Sequence, residues 1–231
     1  MDYYIWGKHA VQAALSNKNR KITEILVTDN FSTQTLDLSG TNFITKKVSN
    51  KTLDNLTNTT SHQNIAIKTK SIAKQIQQID LNNLKKIAIL DRITDPHNFG
   101  AILRSAVFFG VEAIILPKDN SVKESGIVAK TSAGSLEYID IVYVTNIAST
   151  INLLKEKRFW ILGFDENGEV LDEKFKNEKV CLVLGSEGAG IRNLTNRLCD
   201  KIYQISSKAN SKNNISSLNV SVAAAIAFYN F

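Results

Sequence analysis

From residue 87 onward the chain alternates short apolar runs with stretches of helical spacing. Residues 87–90 (IAIL) read as a strand buried on both faces. Residues 98–109 carry apolar positions at the spacing of a helix face. Further strands are predicted at 113–116, 141–144, 160–163 and 180–184, with a helix at 148–157. Residues 218–229 form an Ala-rich apolar helix at the C-terminal end. Such alternation predicts an α/β fold, a mostly parallel sheet covered by helices on both faces. No internal repeat interrupts it.

The first 70 residues predict a smaller α/β unit: a helix at 9–15, a strand at 22–28, a short helix at 52–56 and a strand at 64–68. Asn- and Ser-rich turns separate them. Residues 71–84 are polar and rich in Gln and Asn, and 72–79 fit either a loose connection or a helical turn or two. The expected organisation is therefore a small domain over 1–70, a linker over 71–84 and a larger domain over 85–231.

Composition narrows the class. Hydrophobic residues make up 43% and charged residues 22%, an ordinary globular mixture for 231 residues. No apolar run reaches the roughly 18–20 residues of a membrane span. The start, MDYYIWGKHA, lacks a basic stretch leading into an apolar one, so no signal peptide is predicted. Cys181 and Cys199 form neither a disulfide framework nor a zinc-binding pattern. These features predict a soluble, cytoplasmic protein with no membrane partner. The net charge is +6, and residues 1–70 hold nine Lys/Arg against five Asp/Glu. That basic first third suits a phosphate-rich partner, and it equally suits a solvated lysine-rich surface.

Three segments carry candidate chemistry. The first is DPHNFGAILRSA, residues 95–106, which follows a strand and opens a helix. Asn98 is a candidate cap. Arg104 sits about one turn beyond Gly100 on a largely apolar element, so a buried guanidinium with an anionic partner or ligand is expected. The second is LVLGSEGAGI, residues 182–191: a buried strand running into three glycines around Glu187. The order G-x-x-G-x-G is not the dinucleotide fingerprint, which disfavours a nucleotide-dependent oxidoreductase. A central carboxylate repels a pyrophosphate and favours a neutral or cationic ligand. The third is ISSLNVSVAAAI, residues 215–226, with Ser217 as a candidate cap and Asn219 and Ser221 in the first turns of the last helix. No H-E-x-x-H, C-x-x-C, Walker A loop or G-x-S-x-G occurs, so metal catalysis and Ser-His hydrolysis have no support.

Taken together and in order, these segments resemble the SpoU family of RNA ribose 2′-O-methyltransferases, within the knotted SPOUT class. Asn98, Gly100 and Arg104 match the family's N-x-G-x-x-x-R motif. Gly185, Glu187, Gly188 and Gly190 match its glycine-rich turn. Ser217 to Ser221 match S-L-N-V-S without change. The stretch TDPHNFGAILRSA…GVEAIILPKD is similar to the subgroup that methylates a guanosine of 23S ribosomal RNA, and YIWGKHAVQAAL is similar to that subgroup's RNA-binding domain.

The resemblance implies a trefoil knot, an exception to un-knotted topology, and a homodimer with its site near the subunit interface. It implies S-adenosylmethionine as cofactor, held by backbone groups of Gly185, Ile205 and Leu218, and needs no metal. It assigns catalytic roles to Arg104, Asn98, Glu187, Ser217 and Asn219. The family proposes arginine as base. A pKa above about 12 makes that awkward, so Arg104 is expected instead to clamp an RNA phosphate and stabilise developing alkoxide charge. Asn98 and Glu187 are expected to hold the site, and Ser217 and Asn219 to position the hydroxyl or the cofactor's carboxylate end. One departure stands out. The family follows Ile205 with Pro and Met, whereas this chain has Ser206, Ser207 and a longer polar loop over 208–214. Transfer RNA as substrate, or RNA binding without catalysis, are the alternatives that fit the same residues.

Overall fold

A computed structural model describes residues 2–32, 36, 38, 43–171, 179–188, 190–206 and 218–231. The chain divides into two units: Met1–Ile72 with Lys123–Tyr138, and Ala73–Val122 with Ile139–Phe231.

The first unit is built on a four-stranded sheet. β1 (Asp2–Trp6), α1 (Lys8–Ser16), β2 (Ile22–Val27), β3 (Thr45–Lys47), α2 (Asn50–Thr57) and β4 (Ile65–Lys70) follow in order, and the strands lie β1-β4-β2-β3. β4 pairs antiparallel with β1 and β2, while β3 runs parallel to β2. β1 and β3 go beyond the expected elements. β1 is a short run of aromatic residues and Ile5 after Asp2, without alternation, and β3 is three exposed residues. Ser49 caps α2 by accepting from the Thr52 backbone N–H at 3.1 Å.

Residues 123–138 belong to this unit. They form α4 (Gly126–Thr131) and a 3₁₀ turn at Ser135–Glu137. Gly126 lies so close to Trp6 that an added Cβ would stand 1.7 Å from its ring. Arg20 fixes the arrangement. Its side chain is fully buried, as are those of Glu124 and Glu137 within 2%. Nε and Nη2 donate to the two Glu137 oxygens at 3.0 and 2.6 Å, a bidentate pair. Nη1 donates to the Lys70 carbonyl at 2.8 Å and reaches Glu124 at 3.3 Å. The Tyr3 hydroxyl donates to Glu124 at 2.9 Å. Burial and the Glu124 charge hold that phenol in its neutral form, well above its ordinary pKa. Burial alone would lower the Arg20 pKa, but the hydrogen bond to Glu137 and the neighbouring charges outweigh it and raise it.

The second unit holds β5 (Lys86–Leu90), α3 (Pro96–Phe108), β6 (Ala113–Pro117), β7 (Asp140–Val144), α5 (Ile147–Glu156), β8 (Trp160–Val170), β9 (Val180–Leu184), α6 (Asn193–Leu198), β10 (Lys201–Gln204) and α7 (Val220–Asn230). Its six strands are ordered β10-β8-β9-β5-β6-β7, and every pair is parallel. The expected parallel α/β architecture is present. Ile87, Ile89, Cys181 and Val183 face Ile147, Ile151 and Leu154 of α5 in one core. The alternating positions point to the other face, where α3 and α7 pack on each other and α7 reaches β9. Burial, then the neighbouring Cys199 thiol, holds the Cys181 thiol well above its ordinary value, and burial, then Asp200, pushes that of Cys199 up to about 12. Both are neutral core groups rather than nucleophiles.

Removing Arg20 leaves two buried carboxylates without a cation, which costs about 3–5 kcal/mol when one member of a buried pair is lost. Arg20→Ala should therefore lower the urea midpoint of the first unit, followed by the fluorescence of Trp6, which is buried there. An unchanged midpoint would refute this account of the cluster.

Candidate active site

The sheet order makes a switch point between β5 and β9. From β5 the chain moves outward through β6 and β7, and β8 lies on the far side of β9. Ligand crevices open at the carboxyl ends of strands at such a point. Leu90 pairs with Leu184 at those ends, and the Asp91 N–H donates to the Leu184 carbonyl at 2.8 Å. The DPHNFG segment and the glycine-rich turn thus leave the sheet side by side.

α3 begins at Pro96, and Asp95 rather than Asn98 caps it. The Asp95 carboxylate accepts from the backbone N–H groups of His97 at 3.1 Å and Asn98 at 3.2 Å. An Asp–Pro pair is the favoured entry to a helix, with proline at the first position where its missing N–H is harmless. This frees the Asn98 side chain. Phe99, Gly100, Ile102, Leu103 and Ala106 form the buried face. Arg104 is exposed, contrary to the expected buried guanidinium, because it projects from the opposite side of the helix. No hydrogen bond or ion pair to Arg104 is found among the described residues.

The glycine-rich turn closes on itself. Ser186 and Gly190 exchange backbone hydrogen bonds at 3.1 and 2.9 Å. A Cβ on Gly185 would lie 2.0 Å from the Gly190 carbonyl carbon, so only glycine fits. Gly188 takes φ 88, a left-handed value that suits glycine. The turn presents Glu187 at its exposed tip.

Asn219 caps α7, in place of the expected Ser217. Its Oδ1 accepts from the Ser221 N–H at 3.0 Å and the Ser221 hydroxyl at 2.6 Å. Its Nδ2 donates to Asn98 Oδ1 at 3.0 Å and to Glu187 Oε1 at 3.1 Å. Asn98 Nδ2 in turn donates to Glu187 Oε2 at 3.2 Å. The three segments therefore meet in one triangle of side chains, with Glu187 accepting from both asparagines. Gly185 and Ile205 are half-buried, and Leu218, just before the cap, is 45% exposed. Ser217 and the loop over 208–214 lie outside the described residues.

This arrangement offers a carboxylate, closely approaching backbone and uncharged amides, which together suit a cationic small molecule rather than a pyrophosphate. Among the described residues no group of three or more His, Cys, Asp or Glu side chains is placed to hold a metal ion. Reading the sequence missed Asp95 as the cap and Ser221 as the partner of Asn219. The Asp–Pro pair was the signal for the first; nothing local marks the second.

Residues 85–229 match the model of the SpoU rRNA Methylase family, and residues 4–75 match that for RNA 2′-O ribose methyltransferase substrate binding. The chain belongs to the SpoU rRNA methylase family. This SpoU chain is 34% identical over 241 residues to the Escherichia coli K12 protein named 23S rRNA (guanosine-2′-O-)-methyltransferase RlmB, covering 99% of this chain and 97% of the relative. A Vibrio parahaemolyticus protein of the same name is 33% identical over 98% of this chain and 94% of its own length. Among solved structures, the SpoU methyltransferase AviRb from Streptomyces viridochromogenes, in complex with the cofactor AdoMet, aligns with a TM-score of 0.84 at 21% identity. The alignment covers 99% of this chain and 88% of that one.

Asn219→Asp keeps the cap acceptor but sets a second carboxylate against Glu187. Turnover should fall at least about tenfold, while the cap's contribution of about 1 kcal/mol to the helix is retained. Methyl transfer assayed alongside thermal unfolding checks this, and a rate near that of the unaltered protein would refute the triangle's role.

Proposed function

We propose that this chain transfers a methyl group from S-adenosylmethionine to the ribose 2′-hydroxyl of a guanosine in 23S ribosomal RNA. The observation that carries the reading is the triangle of Asn98, Glu187 and Asn219, which joins three separate family motifs at a switch point of the sheet. The substrate follows the names of relatives that match along nearly the whole chain. The match at residues 4–75 favours ribosomal RNA over transfer RNA, because it extends the likeness to the substrate-binding part. Residues 1–72 with 123–138 then serve RNA binding, and 73–122 with 139–231 form a methyltransferase part with the knotted topology of the SPOUT class. A ribosomal substrate implies action in the cytoplasm.

Backbone groups of Gly185, Ile205 and Leu218 would hold the cofactor, and the Glu187 carboxylate favours its cationic end. When bound, S-adenosylmethionine supplies an electrophilic methyl group on a positively charged sulfur, so no metal is required. The work of this chain's residues is alignment and charge. Asn98, Glu187 and Asn219 fix the two turns and the start of α7 relative to each other, which limits the approach of the hydroxyl to one line. Ser217 and Asn219 position that hydroxyl or the cofactor's carboxylate end. Exposed, and without a partner among the described residues, the Arg104 guanidinium clamps the adjoining RNA phosphate and stabilises negative charge as the hydroxyl loses its proton.

The same helices support a second copy of the chain as partner. Phe108 and Tyr229 are 82% and 74% exposed on α3 and α7, with Val222 at 46%. The Phe109 ring stands edge-on to both Phe108 and Tyr229, at 5.1 and 5.7 Å. Apolar surface of this kind on two adjacent helices suits a homodimer.

Arg104→Lys should bind S-adenosylmethionine as the unaltered protein does but lose most turnover, because the planar fork is gone. Calorimetry and single-turnover methylation separate the two effects, and near-normal turnover would sink the clamp. Mapping 2′-O-methyl sites in 23S RNA with and without the protein tests the substrate: no site that depends on it refutes the reading. Phe108→Asp combined with Tyr229→Asp should give a monomer in sedimentation experiments. A dimer unaffected by both changes excludes this face.

A further inference from the structure

Asp91 follows the last residue of β5, and its carboxylate is completely buried. Oδ2 accepts from Arg192 Nε at 2.8 Å and from the Thr195 hydroxyl at 3.2 Å, while Oδ1 has no partner among the described residues. As a stabilising device this is poor design. A buried carboxylate loses its hydration, and an ion pair in that setting rarely outperforms apolar residues of the same volume. The half-satisfied carboxylate points to a task for the group it holds.

That group is Arg192, two residues beyond Gly190 where the glycine-rich turn ends. The Arg192 side chain is 43% exposed. Only Nε is engaged; among the described residues neither Nη1 nor Nη2 makes a bond. A guanidinium tied at Nε to a fixed acid has lost most of its rotamer freedom before any ligand arrives. Its outer edge still offers two N–H groups in the planar geometry that matches two oxygens of one phosphate. Ligand binding then loses less conformational entropy than it would at a free surface arginine. A solvent-facing position at the end of the turn suits a chain of phosphates passing over the surface. It does not suit the enclosed end of a small molecule.

We propose that Asp91 and Arg192 form a pre-oriented phosphate site that takes one backbone phosphate of the RNA substrate. Asp91 acts through Arg192 and is a positioning residue; Arg192 is the contact. This rests on the reading that the chain acts on RNA. The site would set the register of the RNA strand beside Glu187, separately from Arg104.

The test uses the full chain and in vitro transcribed 23S RNA, with affinity measured across a range of salt concentrations. Arg192→Ala should weaken RNA binding about tenfold, the loss of one charge-assisted pair. It should also make the dependence of log affinity on log salt shallower by about one unit. Arg192→Lys should keep the salt dependence but recover only part of the affinity. Asp91→Asn, nearly isosteric, should fall between them and raise the KM for RNA more than it lowers kcat. Calorimetry with S-adenosylmethionine should give the unaltered affinity for both Arg192 variants, which also reports that the fold is intact should Asp91→Asn fail to fold. Unchanged RNA affinity and salt dependence in Arg192→Ala would overturn the proposal alone. Loss of cofactor affinity with RNA binding intact would overturn it by giving Arg192 to the cofactor. Absence of RNA binding by the unaltered protein would overturn the broader reading as well.

Discussion

The parallel pairing of β5 with β9 is the constraint on which the site depends. Leu90 and Leu184 are partners at the carboxyl ends of two strands that are buried but for Lys86 at the start of β5. A slip of one residue would exchange the side chains packed under α5 with those under α3 and α7, and each face is packed for its own set, so the register is held by the whole core. Because it is held, the segments after each strand start from fixed points. One becomes the capped entry to α3 and the other the closed glycine turn. The triangle of Asn98, Glu187 and Asn219 is assembled from these two exits and the first residues of α7.

What the exits bring together is polar and exposed. Each bond among Asn98, Glu187 and Asn219 is worth about 1 kcal/mol in net stability, too little to hold three chain segments in place. The cores beneath do that work, and the triangle selects one arrangement of their ends. The buried cluster around Arg20 is the reverse case. There the ion pairs lie out of water, every donor of the bidentate pair is used, and removing one member is costly. The two clusters thus differ in kind: the exposed triangle fixes the ends of chain segments, and the buried one ties elements of a core together.

The strands and helices of the second unit were legible because each is a continuous apolar run or a clear helical stripe. Residues 87–90 and 180–184 could hardly be read otherwise. The glycine turn and Asn219 were legible as a family pattern, and Glu187 on charge alone. Other features were hidden for physical reasons. Arg104 was expected to be buried because its helix is mostly apolar, but the exposed side of such a helix needs only one or two polar positions. β10 and α6 are short and half-buried, with no strong period. Arg20, Glu124 and Glu137 are far apart in sequence, and nothing local shows that three charged residues will share one core. Asp91 looks like the polar end of a strand until Arg192 is seen beside it.

The placement of residues 123–138 within the first unit bears on how the chain is made. Synthesis proceeds from the N-terminus, and domains tend to fold as they emerge. Here Arg20 leaves the ribosome long before Glu124 and Glu137 exist, so the first unit cannot close its charged core when its own four strands are complete. It must wait until β5, α3 and β6 of the other unit have been made. The first unit is therefore complete only after part of the second has been made. A nascent chain halted between them would expose an unpaired guanidinium where the finished protein has a buried, bidentate ion cluster.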